Sequence, residues 1–264
     1  MFAIRGEYAV LIPVHKVDAD VYACFDSVLS DIPNYVTVYC VLHNPDAILR
    51  QFVGNYPKKN QIIILEKNCQ TLGMLLNFGL QNIKEPWVFR MDADDVWLSG
   101  RFESQISFLK ENSDLWVLGG AIEVFDSIRN LRYKLYENQE TQVFQKDLLE
   151  GCPIPHPTTL LNRQKILNIG GYNENYEAAE DYELWSRVVF HGKIFRQNQV
   201  LIRYSINEGG NSILKKHQQM VEAELIKLNI YLKRLNLPKV TLNESAGSSV
   251  YRKIMLIIYK ILSC

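Results

Sequence analysis

The chain has 264 residues, 47% of them apolar, with 29 Lys and Arg balanced by 29 Asp and Glu. That length suits one large domain with a small appendage, and zero net charge argues against nucleic acid as a partner. Cys24, Cys40, Cys69, Cys152 and Cys264 form no CxxC pair, so neither a disulfide scaffold nor a zinc cluster is indicated, and a reducing cytoplasm is the expected location. The first residues lack the basic flank and long apolar stretch of a signal peptide, and no run approaches the roughly 18 apolar residues of a membrane span.

In chain order, Tyr8–Val14, Val36–Leu42, Gln61–Glu66 and Trp87–Met91 are short apolar runs rich in β-branched residues. Apolar on both faces, they predict buried parallel strands. Ala19–Leu29, Asp46–Tyr56 and Thr71–Ile83 lie between them and predict helices. The alternation implies an α/β sheet with right-handed crossovers, in which ligands bind beyond the carboxyl ends of the strands. Arg101–Glu111 predicts another helix and Leu115–Leu118 another strand, while residues 126–150 are polar and featureless and 151–158 form a Pro-rich loop. Glu177–His191 and Lys215–Leu235 predict helices, the second with its apolar face on Met220, Leu225, Leu228, Ile230, Leu232 and Leu235.

Met91-Asp-Ala-Asp-Asp95 follows the fourth strand, where a site is expected. Carboxylates crowded at a strand end either ligate a hard divalent cation or form a solvated turn that caps the next helix. The second acidic pair, Glu180-Asp181, opens a helix. There a carboxylate is either a general base or an acid set against the helix dipole.

Taken together, the segments resemble bacterial members of glycosyltransferase family 2, which have the GT-A fold. The resemblance is carried by Val10-Leu-Ile-Pro-Val14, Arg90-Met-Asp-Ala-Asp-Asp95, Arg101-Phe-Glu-Ser-Gln105, His156-Pro-Thr158, Gly170-Gly-Tyr172 and Glu180-Asp-Tyr-Glu-Leu-Trp185, and covers about residues 8–212. It implies a GT-A catalytic domain over 1–214, with a nucleotide-sugar half to about 118 and an acceptor half beyond it, followed by a C-terminal helical extension over 215–264.

The resemblance further implies that Asp92, Asp94 and Asp95 hold Mn²⁺ or Mg²⁺ and that Asp181, with Glu180 beside it, is the catalytic base. Pro13, Val14, His43, Asn68, Asn77, Arg90, Asp92 and Asp94 are the implied contacts to the nucleotide sugar. Two departures stand out. His43 occupies the position where the family often has an aspartate that holds the base, and Ser205 stands where relatives often have Arg, so the phosphate contact implied there is either missing or supplied by Arg203 or Lys215. The activity implied is inverting transfer of a hexose, with a UDP-sugar as the default donor, to a saccharide hydroxyl, the acceptor being lipid-diphosphate-linked in surface-polysaccharide or O-antigen assembly.

Rival readings are a non-catalytic sugar-nucleotide-binding protein, a nucleotidyltransferase and a metal-dependent hydrolase. Pro13-Val-His-Lys16 is not a Gly-rich phosphate loop, and five scattered histidines are few for a hydrolase. The segment Val250–Leu262 is apolar, punctuated by Arg252, Lys253 and Lys260, and too short to cross a bilayer. It either lies on an anionic membrane, making the protein peripheral at the inner face, or packs on the fold.

Overall fold

The computed structural model describes residues 6–57, 59–206 and 215–241. Strands β1 (Tyr8–Val14), β2 (Thr37–His43), β3 (Ile62–Lys67) and β4 (Trp87–Arg90) alternate with helices α1 (Ala19–Asp31), α2 (Ala47–Gly54) and α3 (Leu72–Asn82). Next come β5 (Val96–Trp97), α4 (Arg101–Glu111), β6 (Leu115–Asp126), β7 (Leu131–Leu135), β8 (Thr141–Val143), α5 (Asp147–Glu150), β9 (Leu160–Asn162) and α6 (Arg163–Asn168). The chain ends its described part with α7 (Glu180–Val188), β10 (Lys193–Ile206) and α8 (Lys216–Arg234).

One sheet runs β3-β2-β1-β4-β9-β6-β10-β5, with β7 on β6 and β8 on β10. The strands β3, β2, β1 and β4 are mutually parallel, as the βα alternation requires. Antiparallel β9 joins this half to the parallel pair β6 and β10. Successive side chains of a strand face opposite sides. Accordingly Val10, Ile12 and Val14 join the core beneath α1 and α4, while Ala9 and Leu11 join the core beneath α3, α7 and α8. Strand β3 departs from the expected burial on both faces: it is an edge strand, and Ile63 and Ile64 remain 42% and 39% exposed.

Two caps set where helices begin at the carboxyl end of the sheet. Asp18 accepts from Val21 N at 3.2 Å to start α1, and Thr71 accepts from Met74 N at 3.3 Å to start α3. The order of strands reverses between β1 and β4, and Met91 N donates to Leu11 O across that switch point at 3.1 Å. The crevice beyond it is where an open α/β sheet holds a ligand.

Helix α8 packs against α7, burying Leu225, Ile226, Leu228 and Ile230 in the same core as Leu184 and Trp185. Met220 and Leu235, expected on its apolar face, are 62% and 61% exposed. Among the described residues no helix is long and apolar enough to cross a membrane. The basic apolar segment 250–262 lies outside the described residues.

Candidate active site

Two clefts meet at the end of β4. The first, of about 230 Å³, is lined by Pro13, Val14, His15, Lys16, His43, Gln70, Asp92 and Asp94 among others. The second, of about 340 Å³, is lined by Arg90, Asp92, Asp94, Cys152, His156, Glu180 and Asp181 among others. Leu72, Asp92, Asp94 and Lys215 line both. A molecule filling the two would therefore pass the acidic cluster.

Asp92, Asp94 and Asp95 each offer a carboxylate oxygen, all within 4.8 Å of one another. Burial, then the charge of Asp92, pushes the Asp94 carboxyl up to about 6. The same two causes raise Asp95 well above the ordinary carboxylate range. Crowded oxygens with raised pKa values are what a hard cation relieves. Asp95 is fully buried and lines neither cleft. Its Oδ1 accepts from Ser205 N at 2.9 Å, tying β10 to the cluster, and its Oδ2 has no hydrogen-bond partner among the described residues. The donor set and the unsatisfied buried oxygen both fit a divalent metal.

The turn is braced from below. Asp31, at the end of α1, accepts from Trp97 Nε1 at 2.8 Å, Gly100 N at 2.6 Å and Phe102 N at 3.0 Å. Arg101 lies over the Trp97 ring at 3.9 Å and donates to the Arg90 carbonyl at 3.0 Å. Trp97 is thus a buried strut beneath the turn. Arg90 is buried too. Its Nη1 forms an ion pair with Asp92, and its Nε has no hydrogen-bond partner among the described residues. It is a positive charge set among Asp92, Glu180 and Asp181.

Across the second cleft, α7 presents its first turn. Asp181 Oδ1 accepts from Tyr182 N at 2.7 Å and Oδ2 from the Cys152 thiol at 3.7 Å. Burial raises Asp181, while the Tyr182 N–H and Arg90 pull the other way. Burial and the neighbouring Asp181 raise Glu180 to about 7. His156 joins this group: its Nε2 pairs with the Tyr172 hydroxyl at 2.8 Å, and its Nδ1 lies 3.9 Å from Glu180. Burial, then Arg90, holds its pKa well below the usual value, so the ring is neutral.

The position of α7 depends on a residue that sequence reasoning missed. Glu222 of α8 is fully buried, and its carboxylate accepts from Glu177 N, Ala178 N and Ala179 N at 3.0, 3.0 and 2.9 Å. These N–H groups just precede α7, so Glu222 holds the chain entering that helix from a distant element. The only trace in the sequence is a charged residue in line with the buried stripe Leu225, Ile226 and Leu228.

Not every expected nucleotide contact reaches a cleft. Asn68 is exposed and lines neither. Asn77 is buried and fully engaged elsewhere: it donates to Tyr172 O and Glu174 Oε1 at 2.9 Å and accepts from Tyr172 N at 2.8 Å. It clamps the Gly170-Gly171 turn, where Gly171 has φ +66° and a Cβ would sit 2.3 Å from Asn77 Oδ1. Of the two cations offered in place of an arginine at 205, Arg203 is paired with Glu123 at 3.1 Å, whereas Lys215 lines both clefts. His43 lines the first cleft and its Nε2 donates to the Cys69 carbonyl at 2.9 Å.

This geometry has counterparts. A "Glycosyl transferase family 2" profile matches residues 9–170, which spans β1 through the His156-Pro-Thr158 turn to Gly170. An uncharacterized glycosyltransferase of Haemophilus influenzae is 30% identical over 79% of this chain and 79% of its own length. The amylovoran biosynthesis glycosyltransferase AmsE of Erwinia amylovora is 29% identical over 69% of this chain and 68% of its own. An Escherichia coli UDP-Gal:alpha-D-GlcNAc-diphosphoundecaprenol beta-1,3-galactosyltransferase is 31% identical over 48% of this chain and 46% of its own. Among solved structures, S. aureus TarS 1-349 in complex with UDP-GlcNAc superposes with a TM-score of 0.68 at 15% identity, covering 94% of this chain and 70% of TarS. That likeness shows the shared GT-A fold. With the family profile covering more than half of the residues and a relative of matching length at 30% identity, the chain belongs to glycosyltransferase family 2 and is a glycosyltransferase.

Proposed function

We propose that this glycosyltransferase moves a hexose from a UDP-sugar to a hydroxyl of a saccharide acceptor with inversion, that it depends on Mn²⁺ or Mg²⁺, and that the acceptor is lipid-diphosphate-linked. The observation that carries the reading is the junction of the two clefts at Asp92 and Asp94, with Asp181 lining only the second. The donor lies in the cleft of Pro13, Val14 and His43, with its diphosphate at the aspartates, and the acceptor lies in the cleft of Asp181. When bound, the metal offsets the charge that develops on the departing diphosphate. Asp92 and Asp94 would hold it from the cleft with the unpaired Asp95 Oδ2 behind them, while Asp95 Oδ1 ties the turn to β10. Lys215 adds a positive charge beside the diphosphate.

Asp181 takes the proton of the attacking hydroxyl. Its raised basicity suits that task, and the Cys152 thiol and the Tyr182 N–H fix the carboxylate plane. A base on the side away from the leaving group implies one displacement and hence inversion. Support for UDP and for the lipid carrier comes from the proteins this chain resembles: TarS was solved with UDP and with UDP-GlcNAc, and the E. coli relative is named for a diphosphoundecaprenol acceptor. The Mannosyltransferase PcManGT from Pyrobaculum calidifontis, with a TM-score of 0.63 at 12% identity, was solved with GDP-Man and Mn²⁺. In this reading residues 1–214 form the catalytic domain, divided near 118, and α8 straps α7 from the extension.

The test is nucleotide release from a panel of UDP-sugars in the presence of a lipid-linked acceptor. Chelator should abolish release and Mn²⁺ should restore it; undiminished activity in chelator would end the metal reading. A peripheral membrane location through 250–262 is part of the same proposal. Asn229 holds Val240 through both its backbone groups, at 2.8 and 2.9 Å, so a truncation should begin after residue 241. The shortened chain should lose binding to anionic vesicles and keep transfer to a short water-soluble acceptor. Vesicle binding equal to that of the full chain would refute the membrane role.

A further inference from the structure

Beside the cleft that holds Asp181 lies another, of about 600 Å³, lined by Tyr136, Gln139, Asp147, Glu150 and Arg196 among others. The two clefts share Tyr136 and Cys152. We propose that this neighbouring cleft is a subsite for a neutral sugar residue of the acceptor, next to the residue that is glycosylated, so that the acceptor is an oligosaccharide of at least two residues. The proposal rests on the reading of the Asp181 cleft as the acceptor site.

Position is the first argument. The Cys152 thiol donates to Asp181 Oδ2 at 3.7 Å, so the passage between the clefts runs against the base. The far wall is tied to the same helix: the Tyr182 hydroxyl of α7 donates to the Leu148 carbonyl of α5, which carries Asp147 and Glu150. A chain of two sugars with its reacting hydroxyl at Asp181 would place its other ring over Tyr136. The size is that of ordinary small-ligand sites, which span roughly 300–1,000 Å³.

The second argument is construction. Tyr136 has φ +69°, a conformation that bulky side chains adopt only where the surroundings hold them there, commonly at ligand clamps. The Arg196 guanidinium lies 4.0 Å from the centre of its ring. Arg196 is itself buried, donating to the Pro153 carbonyl at 2.5 Å and to Gln139 Oε1 at 3.1 Å. Its Nε has no partner among the described residues, a costly state for a buried donor that a sugar hydroxyl would relieve.

The third is chemistry. An aromatic ring beside amides and carboxylates, here Asn138, Gln139, Glu140, Asp147 and Glu150, presents an apolar face and paired acceptors and donors, which match the ring carbons and adjacent hydroxyls of a sugar. Three carboxylates against one guanidinium repel a diphosphate, so the phosphates of a lipid carrier belong elsewhere.

Saturation-transfer NMR on the full chain tests this, with lactose and diacetylchitobiose, their constituent monosaccharides, and inorganic pyrophosphate as probes. At least one disaccharide should bind, with signals from both rings and an affinity at least about tenfold above that of its monosaccharides. Tyr136→Ala, which keeps a Cβ and hence the same backbone cost, should weaken that disaccharide by about tenfold, and so should Gln139→Ala at an exposed position. UDP affinity should stay unchanged in both. Disaccharide binding no better than monosaccharide binding, indifference to both substitutions, or displacement by pyrophosphate would overturn the subsite. If UDP fails to bind the unaltered protein while disaccharide binding still depends on Tyr136, UDP as the donor nucleotide falls and the acceptor subsite stands.

Discussion

The cleft proposed for the donor and the cleft proposed for the acceptor are built by different means. The donor wall is made mostly of residues at or just beyond strand ends, Pro13 to Lys16 at β1, His43 at β2, Gln70 after β3 and Asp92 to Asp94 after β4, with Leu72 and Leu75 of α3 and Lys215 completing it. Sheet topology brings the strand-end residues together. The acceptor wall draws on segments scattered from Ile122 to Gln219. There, individual long-range bonds do the placing: Glu222 reaches back 43 to 45 residues to the chain before α7, and Cys152 reaches 29 residues forward to Asp181. The donor side should therefore resist single substitutions that disable the acceptor side, and the residues between the two should matter to both.

Asp94→Ala, at the boundary, should show the largest effect. It removes an acid common to both clefts that would hold the metal, and transfer should fall by at least about 10²-fold, the cost of losing one source of stabilisation for the developing charge. Metal-dependent UDP binding should fall with it. If UDP binding survives intact, the boundary is drawn in the wrong place.

Glu222→Gln comes next. The amide keeps one acceptor but turns an N–H₂ toward backbone donors. Turnover should drop about tenfold, the equivalent of one lost hydrogen bond to a charged group, with UDP affinity unchanged. An equal loss of UDP affinity would erase the distinction between the two sides.

Asn77→Ala sharpens it from the other direction. Tyr172 N and O would lose their partner, lowering stability by about 1–3 kcal/mol in a urea titration. UDP affinity should not change. A lower affinity at an unaltered urea midpoint would make Asn77 a nucleotide ligand.

The smallest effect is on pH dependence. A base acts only when deprotonated, so turnover should fall as pH drops through the raised range of the Glu180–Asp181 pair, whose Glu180 stands at about 7. Burial is the main cause that raises Asp181, and the Asp181 charge raises Glu180 rather than the reverse. Glu180→Gln should therefore leave the acid limb of the kcat profile in place; a limb that disappears or moves with Glu180 would make Glu180 the base.

The same contrast explains what the sequence could tell. Strands β1 to β4 and helices α1, α3 and α4 begin and end close to where the apolar runs predict, since each has its own local apolar pattern. Strand β9 is three residues long and is stabilised by β4 and β6 on either side, which leaves no local signal. Strand β10 is interrupted by polar Gln197, Asn198 and Gln199, where the register with β6 shifts, and this masks its period. The acidic cluster and Glu180-Asp181 were legible because neighbours in sequence are neighbours in the site. Glu222, Cys152 beside Asp181 and Arg196 over Tyr136 were not, because their partners are distant in the chain.

The division of labour between the two acidic groups is tested most directly by Asp181→Asn, assayed in one preparation for turnover and for UDP-sugar binding with Mn²⁺. The amide nearly preserves shape and removes basicity. Turnover should fall by at least about 10²-fold while donor affinity is unchanged. Near-normal turnover in Asp181→Asn would contradict Asp181 as the base, and with it the placement of the acceptor in the cleft that Asp181 lines.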